Sequence, residues 1–213
     1  MSFSTRRTAL VVSGVAALAL TAPVIAMSTA SAQPGHVAKK AAKEYVISSG
    51  KTTLVPNAAT LGKYKAAGFT LTPTSEATQS KKGVLTFPVT GGVLNPKSHA
   101  GVINHVGGLT VTPPSTNKDP FPVVSRDYSV NTKTGALTAY VDGLGKFTLF
   151  DLVKVTKAKT TYKKGTLTIS KIKVVLDKGS AAALDTTYST TVFKGGQVIG
   201  VLKTVDKASL VTK

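Results

Sequence analysis

"GVINHVGGLTV", Gly101–Val111, alternates in the manner of a β-strand. Ile103, His105, Leu109 and Val111 share one parity, and their apolar majority marks it as the inward face. Val102, Asn104 and Val106 share the other. The Gly107–Gly108 pair interrupts the run, which predicts a bulge or the close approach of another backbone. His105 is therefore expected to point inward, next to two residues that leave room beside it. That room holds either a ligand or a neighbouring side chain.

The same alternation extends in both directions. "VLTFPV" precedes a Gly91–Gly92 turn, and "VVSRDYSV" and "ALTAYVDG" flank "NTKTG", a five-residue link ending in glycine that reads as a hairpin. "KFTLFDLVKV" is a further strand, and "AKTTYKKGTLTISKIKVVL" folds back at Lys-Lys-Gly. Within it the apolar face switches near Ser170, which predicts a second bulge. "EYVISSGKTTLVP" reads as a strand or a hairpin about Ser-Ser-Gly, "TSEATQSKKG" as a polar loop and "VIGVLKTV" as a last strand. Two stretches break the pattern. "NAATLGKYKAAG" has Asn57 to cap a helix over Ala58–Ala67 and Gly68 to end it. "DKGSAAALDTTYSTTVF" has Ser180 as a cap, three alanines, and Leu184 and Tyr188 four apart. The fold class is mostly β: an antiparallel β-sandwich or partly open barrel with two short helices.

The chain of 213 residues opens on a basic "MSFSTRR" and an apolar, uncharged "TALVVSGVAALALTAPVIA", and reaches "ASA" at Ala30–Ala32. Residues 1–32 read as a signal peptide that leaves Gln33 as the new N-terminus. "TRRTAL" resembles a loose twin-arginine signal, so the sequence leaves both export routes open. Residues 33–43 are small, polar and basic and read as a disordered leader; residues 44–213 are expected to form a single β-rich domain. Without cysteine, thiol nucleophiles and thiolate metal sites are excluded.

Charge is the strongest compositional signal. The chain has 27 Lys and Arg against 9 Asp and Glu. Beyond Arg6 and Arg7, Arg126 is the only arginine; the other basic residues are lysines. Arginine reads bases and phosphates through a rigid fork, whereas lysine is a hydrated point charge. A specific nucleic-acid partner is therefore not expected; the lysines read either as diffuse attraction to anionic wall polymers or a membrane surface, or as a solubilising surface with no specific partner.

Catalytic patterns are missing from the sequence. It has no Gly-x-Ser-x-Gly elbow and no His-Glu-x-x-His. The histidines are His36, His99 and His105. Among the carboxylates, Asp119, Asp177 and Asp206 sit beside lysines or in turns and read as surface. Asp127, Asp142 and Asp151 lie on or near strands, and Arg126–Asp127 reads as a local surface pair. "TGGV", "VGGL" and "KGGQ" lack phosphate-loop spacing and read as turn or bulge glycines. Tyr45, Tyr128, Tyr140, Tyr162 and Tyr188 are the candidates for lining a pocket.

Four segments in order carry a resemblance: "GVINHVGGLTV", the loop "PPSTNKDP", "ALTAYV", and the alanine-rich helix before "FKGGQVIGVL". Together they resemble the HtaA domain family, secreted or surface β-rich domains of actinobacteria that take part in haem acquisition. That family carries Gly-His-x-Gly-x-Leu inside a strand. His105, Gly107 and Leu109 match it, and Asn104 stands where the first glycine would. The family's Trp-Gly and Ser-Phe-x-x-Tyr run has no counterpart, but Tyr45 stands near the place of its tyrosine. The resemblance implies His105 and Tyr45 as haem-contacting residues.

Two expectations follow. The first is a secreted, non-enzymatic, envelope-associated β domain, needing no cofactor and no metal, whose lysine-rich surface binds anionic wall or membrane polymers. The alternative is an HtaA-like extracellular protein that binds haem or another small ligand.

Overall fold

A computed structural model describes residues 42–116, 121–153, 155 and 158–212. The leader assigned to residues 1–32 and most of 33–43 lie outside them. Among the described residues there are twelve strands and two α-helices. The strands are β1 (Lys43–Pro56), β2 (Thr70–Thr74), β3 (Thr78–Gln79), β4 (Leu85–Leu94), β5 (Gly101–His105), β6 (Gly108–Thr112) and β7 (Val123–Asn131). They continue with β8 (Ala136–Val141), β9 (Gly145–Val153), β10 (Lys159–Lys163), β11 (Thr166–Leu176) and β12 (Val198–Thr212). The helices are α1 (Ala58–Ala66) and α2 (Lys178–Thr187).

Pairing runs β7-β5-β4-β1-β12-β11-β9-β8, and β8 pairs back onto β7, so eight antiparallel strands close a barrel. Of the two expected architectures, the barrel is the one formed. Eight strands make a barrel just wide enough for its side chains to fill, or to hold one small ligand. The apolar parity of each strand faces in: Leu54, Phe87, Val89, Ile103, Leu137, Ile169, Val174 and Leu202 are all buried.

The barrel splits at one end. After His105, which pairs with Val89, the chain leaves β4 but stays beside β7 as β6. β3 takes the vacated edge of β4, and β2 pairs with β6. Gly107 and Gly108 make this possible. Gly107 has φ +86, and a Cβ there would meet the backbone of Ala77; a Cβ on Gly108 would overlap the Ser125 carbonyl of β7. The space directly beside the two glycines is occupied by Ala77 and by the backbone of Ser125 and Arg126.

Other expectations are met or corrected. Asn57 caps α1, its side chain accepting from the Thr60 amide at 3.0 Å. α2 starts three residues earlier than Ser180 would set it. The Asp177 carboxylate caps it and accepts from the Ser180 amide at 2.9 Å, while the Ser180 hydroxyl donates to the Thr148 carbonyl at 2.6 Å. The Ser170 switch is a bulge at Lys171, φ 65. Neither Ser-Ser-Gly nor Gly91–Gly92 is a turn. β1 and β4 run straight through them with one-residue bulges, because strands on both sides pair with them. The polar loop at "TSEATQSKKG" contains the short β3.

Candidate functional site

The barrel interior divides into a polar half and an apolar half. In the polar half, His105 is 5% exposed. Its Nδ1 lies 3.2 Å from the Tyr128 carbonyl, which only accepts, so Nδ1 carries the proton. Nε2 then accepts from the Thr52 hydroxyl at 2.7 Å. Burial pulls the His105 pKa down to about 4, so the ring is neutral at physiological pH. A bulge at Asp127 (φ 54) on β7 breaks the register with β8 next to Tyr128, whose ring is buried. The Ser125 hydroxyl donates to the Leu109 carbonyl at 3.0 Å, which leaves Tyr128 to donate to Ser125 at 2.6 Å. Burial pushes the Tyr128 phenol well above its ordinary range.

Thr52 lies opposite Thr204 on β12, and the Thr204 hydroxyl donates to both oxygens of Asp206 at 2.8 and 2.9 Å. Asp206 is 1% exposed, and burial pushes its pKa up to about 6. The surface reading of Asp206 is corrected: it shares the inward parity of Leu202, Thr204 and Ala208, while Lys203 and Lys207 face out. That parity was the signal available, and the flanking lysines masked it. Gly50 across from it on β1 is required, because a Cβ there would overlap the Asp206 carboxylate.

Above His105 the interior is apolar. A void of about 30 Å³ lies against Thr52, Phe87, His105 and Tyr128. Its walls Leu54, Leu109, Phe150 and Ile199 also wall a larger cavity of about 280 Å³. α1 contributes Leu61 and Tyr64 to this larger cavity, α2 contributes Leu184, and the loops contribute Phe69 and Phe193. The aromatic residues brace one another, Tyr64 on Phe193 at 4.9 Å and Phe69 on Phe193 at 5.0 Å between centroids. The Tyr64 hydroxyl donates to Gln197 Oε1 at 2.9 Å, and its burial pushes the phenol pKa upward. The only charged side chain on the cavity wall is Lys65, which is exposed. Tyr64 was not among the tyrosines expected to line a pocket; its helical period gave it the inward face, but not the partner across it.

His105 and Tyr45 are not brought together. Tyr45 pairs with Leu94 and Leu210 and stacks on Tyr162 at 4.7 Å, and it lines neither interior cavity. The void beside His105 has space for one or two waters. Both ring nitrogens are engaged, so a haem iron at His105 does not fit this geometry unless the Thr52 hydroxyl is displaced. Of the other tyrosines, Tyr128 lines the small void, and Tyr188 donates toward Val111 and Phe121 carbonyls. His99 sits in a turn with φ 55, its carbonyl accepting from Thr132. Arg126 pairs with Asp142 at 3.0 Å rather than with Asp127. His36 and Asp119 lie outside the described residues. Among the described residues no group of three or more His, Cys, Asp or Glu converges.

The outer wall is different again. Register places Lys51 and Thr53 of β1 beside Val205 and Lys203 of β12, and Lys207 of β12 beside Thr166 of β11. β11 adds exposed Lys171 and Lys173, and β10 adds exposed Lys159 and Lys163, paired with Ser170 and Thr166. The outward positions between the Ser49–Lys207–Thr166 and Val55–Val201–Lys173 rows are Lys, Thr, Ser and Val, with no carboxylate.

The sequence matches no known family model and no curated protein. The fold is similar to a solved structure, the C-terminal domain of HtaA from Corynebacterium glutamicum, with a TM-score of 0.56 and 13% identity. The match covers 78% of this chain and 99% of that one. The HtaA-like resemblance read from the strand motif thus holds at the level of the fold.

Proposed function

We propose that this chain is a secreted, non-enzymatic domain of the cell envelope that binds anionic wall or membrane-surface polymers through the outer face of β1, β12, β11 and β10. The observation that carries this is the run of seven lysines on that face, interleaved with Thr and Ser and, between the Ser49–Lys207–Thr166 and Val55–Val201–Lys173 rows, free of carboxylates. Lys51 lies diagonal to both Lys203 and Lys207 across the β1–β12 pair, about 7–8 Å from each. That is within a Debye length of one another at physiological salt, so their fields add over the face. Ammonium groups on flexible stems suit a polymer with irregularly placed charges, where the fixed fork of arginine has no advantage. The single arginine of the domain is tied to Asp142 on another part of the wall. Secretion rests on the leader of residues 1–32.

Sedimentation with purified cell wall, with and without its anionic polymers, tests the reading. Binding is expected to fall at least tenfold between 50 mM and 500 mM salt and to be lost in the Lys171→Glu/Lys203→Glu/Lys207→Glu variant. Retention that ignores salt, or that survives the triple reversal, would sink it.

A further inference from the structure

We infer a second binding site, independent of the lysine face: the cavity beneath α1 and α2 takes a single aliphatic chain that carries an anionic head group. Three observations converge on it. The cavity holds about 280 Å³, near the lower end of small-ligand sites, which begin at about 300 Å³. That suits one unbranched chain better than a bulky ring system. Its wall is apolar at depth (Leu54, Leu85, Leu109, Phe150), and its polar members Lys65, Thr70 and Gln79 are all exposed. A ligand is therefore desolvated along its length and wet at one end. The single charge on that wall is the Lys65 ammonium, in the last turn of α1, with Lys63 close by and no acidic residue in the first turn. The Asp185 carboxylate contributes, after burial, to raising the pKa of Tyr64 on the cavity wall, and its Oδ1 accepts from the Phe193 amide. The shared walls Leu54, Leu109, Phe150 and Ile199 let the tail of the chain point toward the small void above His105.

Chain length and head charge make the site testable by calorimetric titration of the whole protein with octanoate, decanoate and decylammonium. Burying a methylene is worth about 0.8 kcal/mol, about fourfold in affinity, so decanoate is expected to bind about fifteenfold tighter than octanoate. Decanoate is expected to bind several-fold tighter than decylammonium, and Lys65→Glu to reverse that order. Leu184→Trp, at a half-buried wall position of α2, fills the cavity and is expected to abolish decanoate binding at unchanged melting temperature. A second plug, Leu71→Trp from the opposite wall, gives the same reading should the first variant unfold. Equal affinity for both acids, or decanoate binding that survives both plugs, overturns the site. A head-group order that Lys65→Glu leaves unchanged overturns the anionic assignment. Saturable haemin binding that decanoate fails to displace and both plugs abolish also overturns it, because the cavity would then belong to a macrocycle. Wall sedimentation is expected to be unchanged in every one of these variants, so this site and the lysine face fail separately.

Discussion

The two halves of the barrel interior are built from the same strands yet behave as different materials. At the mouth, Leu54, Leu85, Leu109, Phe150 and Ile199 surround open space. Beyond them, His105, Thr52, Tyr128, Thr204 and Asp206 each have a named partner and leave only small voids of about 30 and 10 Å³ beside them. Apolar walls tolerate a void because nothing in them needs a specific neighbour. Buried polar groups do need one, since an unpaired one loses about 1–3 kcal/mol. The difference assigns roles: the apolar half has room for a guest, and the polar half fixes the barrel's register.

The largest effect expected from breaking this contrast is at His105. His105→Ala removes the ring, strands the Thr52 hydroxyl and the Tyr128 carbonyl, and opens a cavity between Val130 and Leu202. A loss of about 4 kcal/mol is expected from the cavity and the orphaned groups together. Urea unfolding measures it. A loss under 1 kcal/mol would mean that the polar half is not what holds the barrel.

Next in size is a pair of opposed pH dependences. Asp206 titrates near 6 in the fold against 3.8 unfolded, so its contribution is full below 3.8 and is lost as pH rises through 6. His105 titrates near 4 against 6.5, so its contribution is full above 6.5 and is lost as pH falls through 4. Each swing is worth about 3 kcal/mol at roughly 1.4 per unit. Between pH 4 and 7 they nearly cancel, and wild type is expected to be almost flat there. Asp206→Asn removes one limb. The variant is expected to exceed wild type by about 3 kcal/mol at pH 7, with the gap shrinking toward zero as pH falls to 4. Unfolding at pH 4, 5.5 and 7 decides it; a gap of the same size at all three would refute the burial of an ionisable carboxylate.

How far the sequence carried follows the same division. Alternation identified most of the strands, because inward and outward residues differ in kind along each of them. His105 was legible for that reason: Ile103 and Leu109 share its parity and are buried with it. Asp206 was not. It stands beside Lys207, which masked the parity that it shares with Leu202, Thr204 and Ala208. Closure of the barrel was equally hidden, since the β7–β8 pairing that completes the ring is also an ordinary hairpin. The pairing of Tyr45 with His105, implied by family resemblance, depends on which strands face each other across the interior, and no local pattern encodes that. The mouth cavity arises from side chains of both helices, eight strands and two loops. Each is locally only an amphipathic residue.

The smallest expected effect sharpens the contrast from the other side. Leu71 on β2 is half-buried and lines the mouth. A core leucine truncated to alanine typically loses 2–5 kcal/mol, part of it for the new void. Here the void already exists and opens toward solvent, so the added space carries little further penalty. Only the transfer of a half-buried side chain remains, and Leu71→Ala is expected to lose about 1 kcal/mol in urea unfolding. A loss as large as that of His105→Ala would show that the mouth is packed as tightly as the polar half, and that the space drawn there is not free to take a guest.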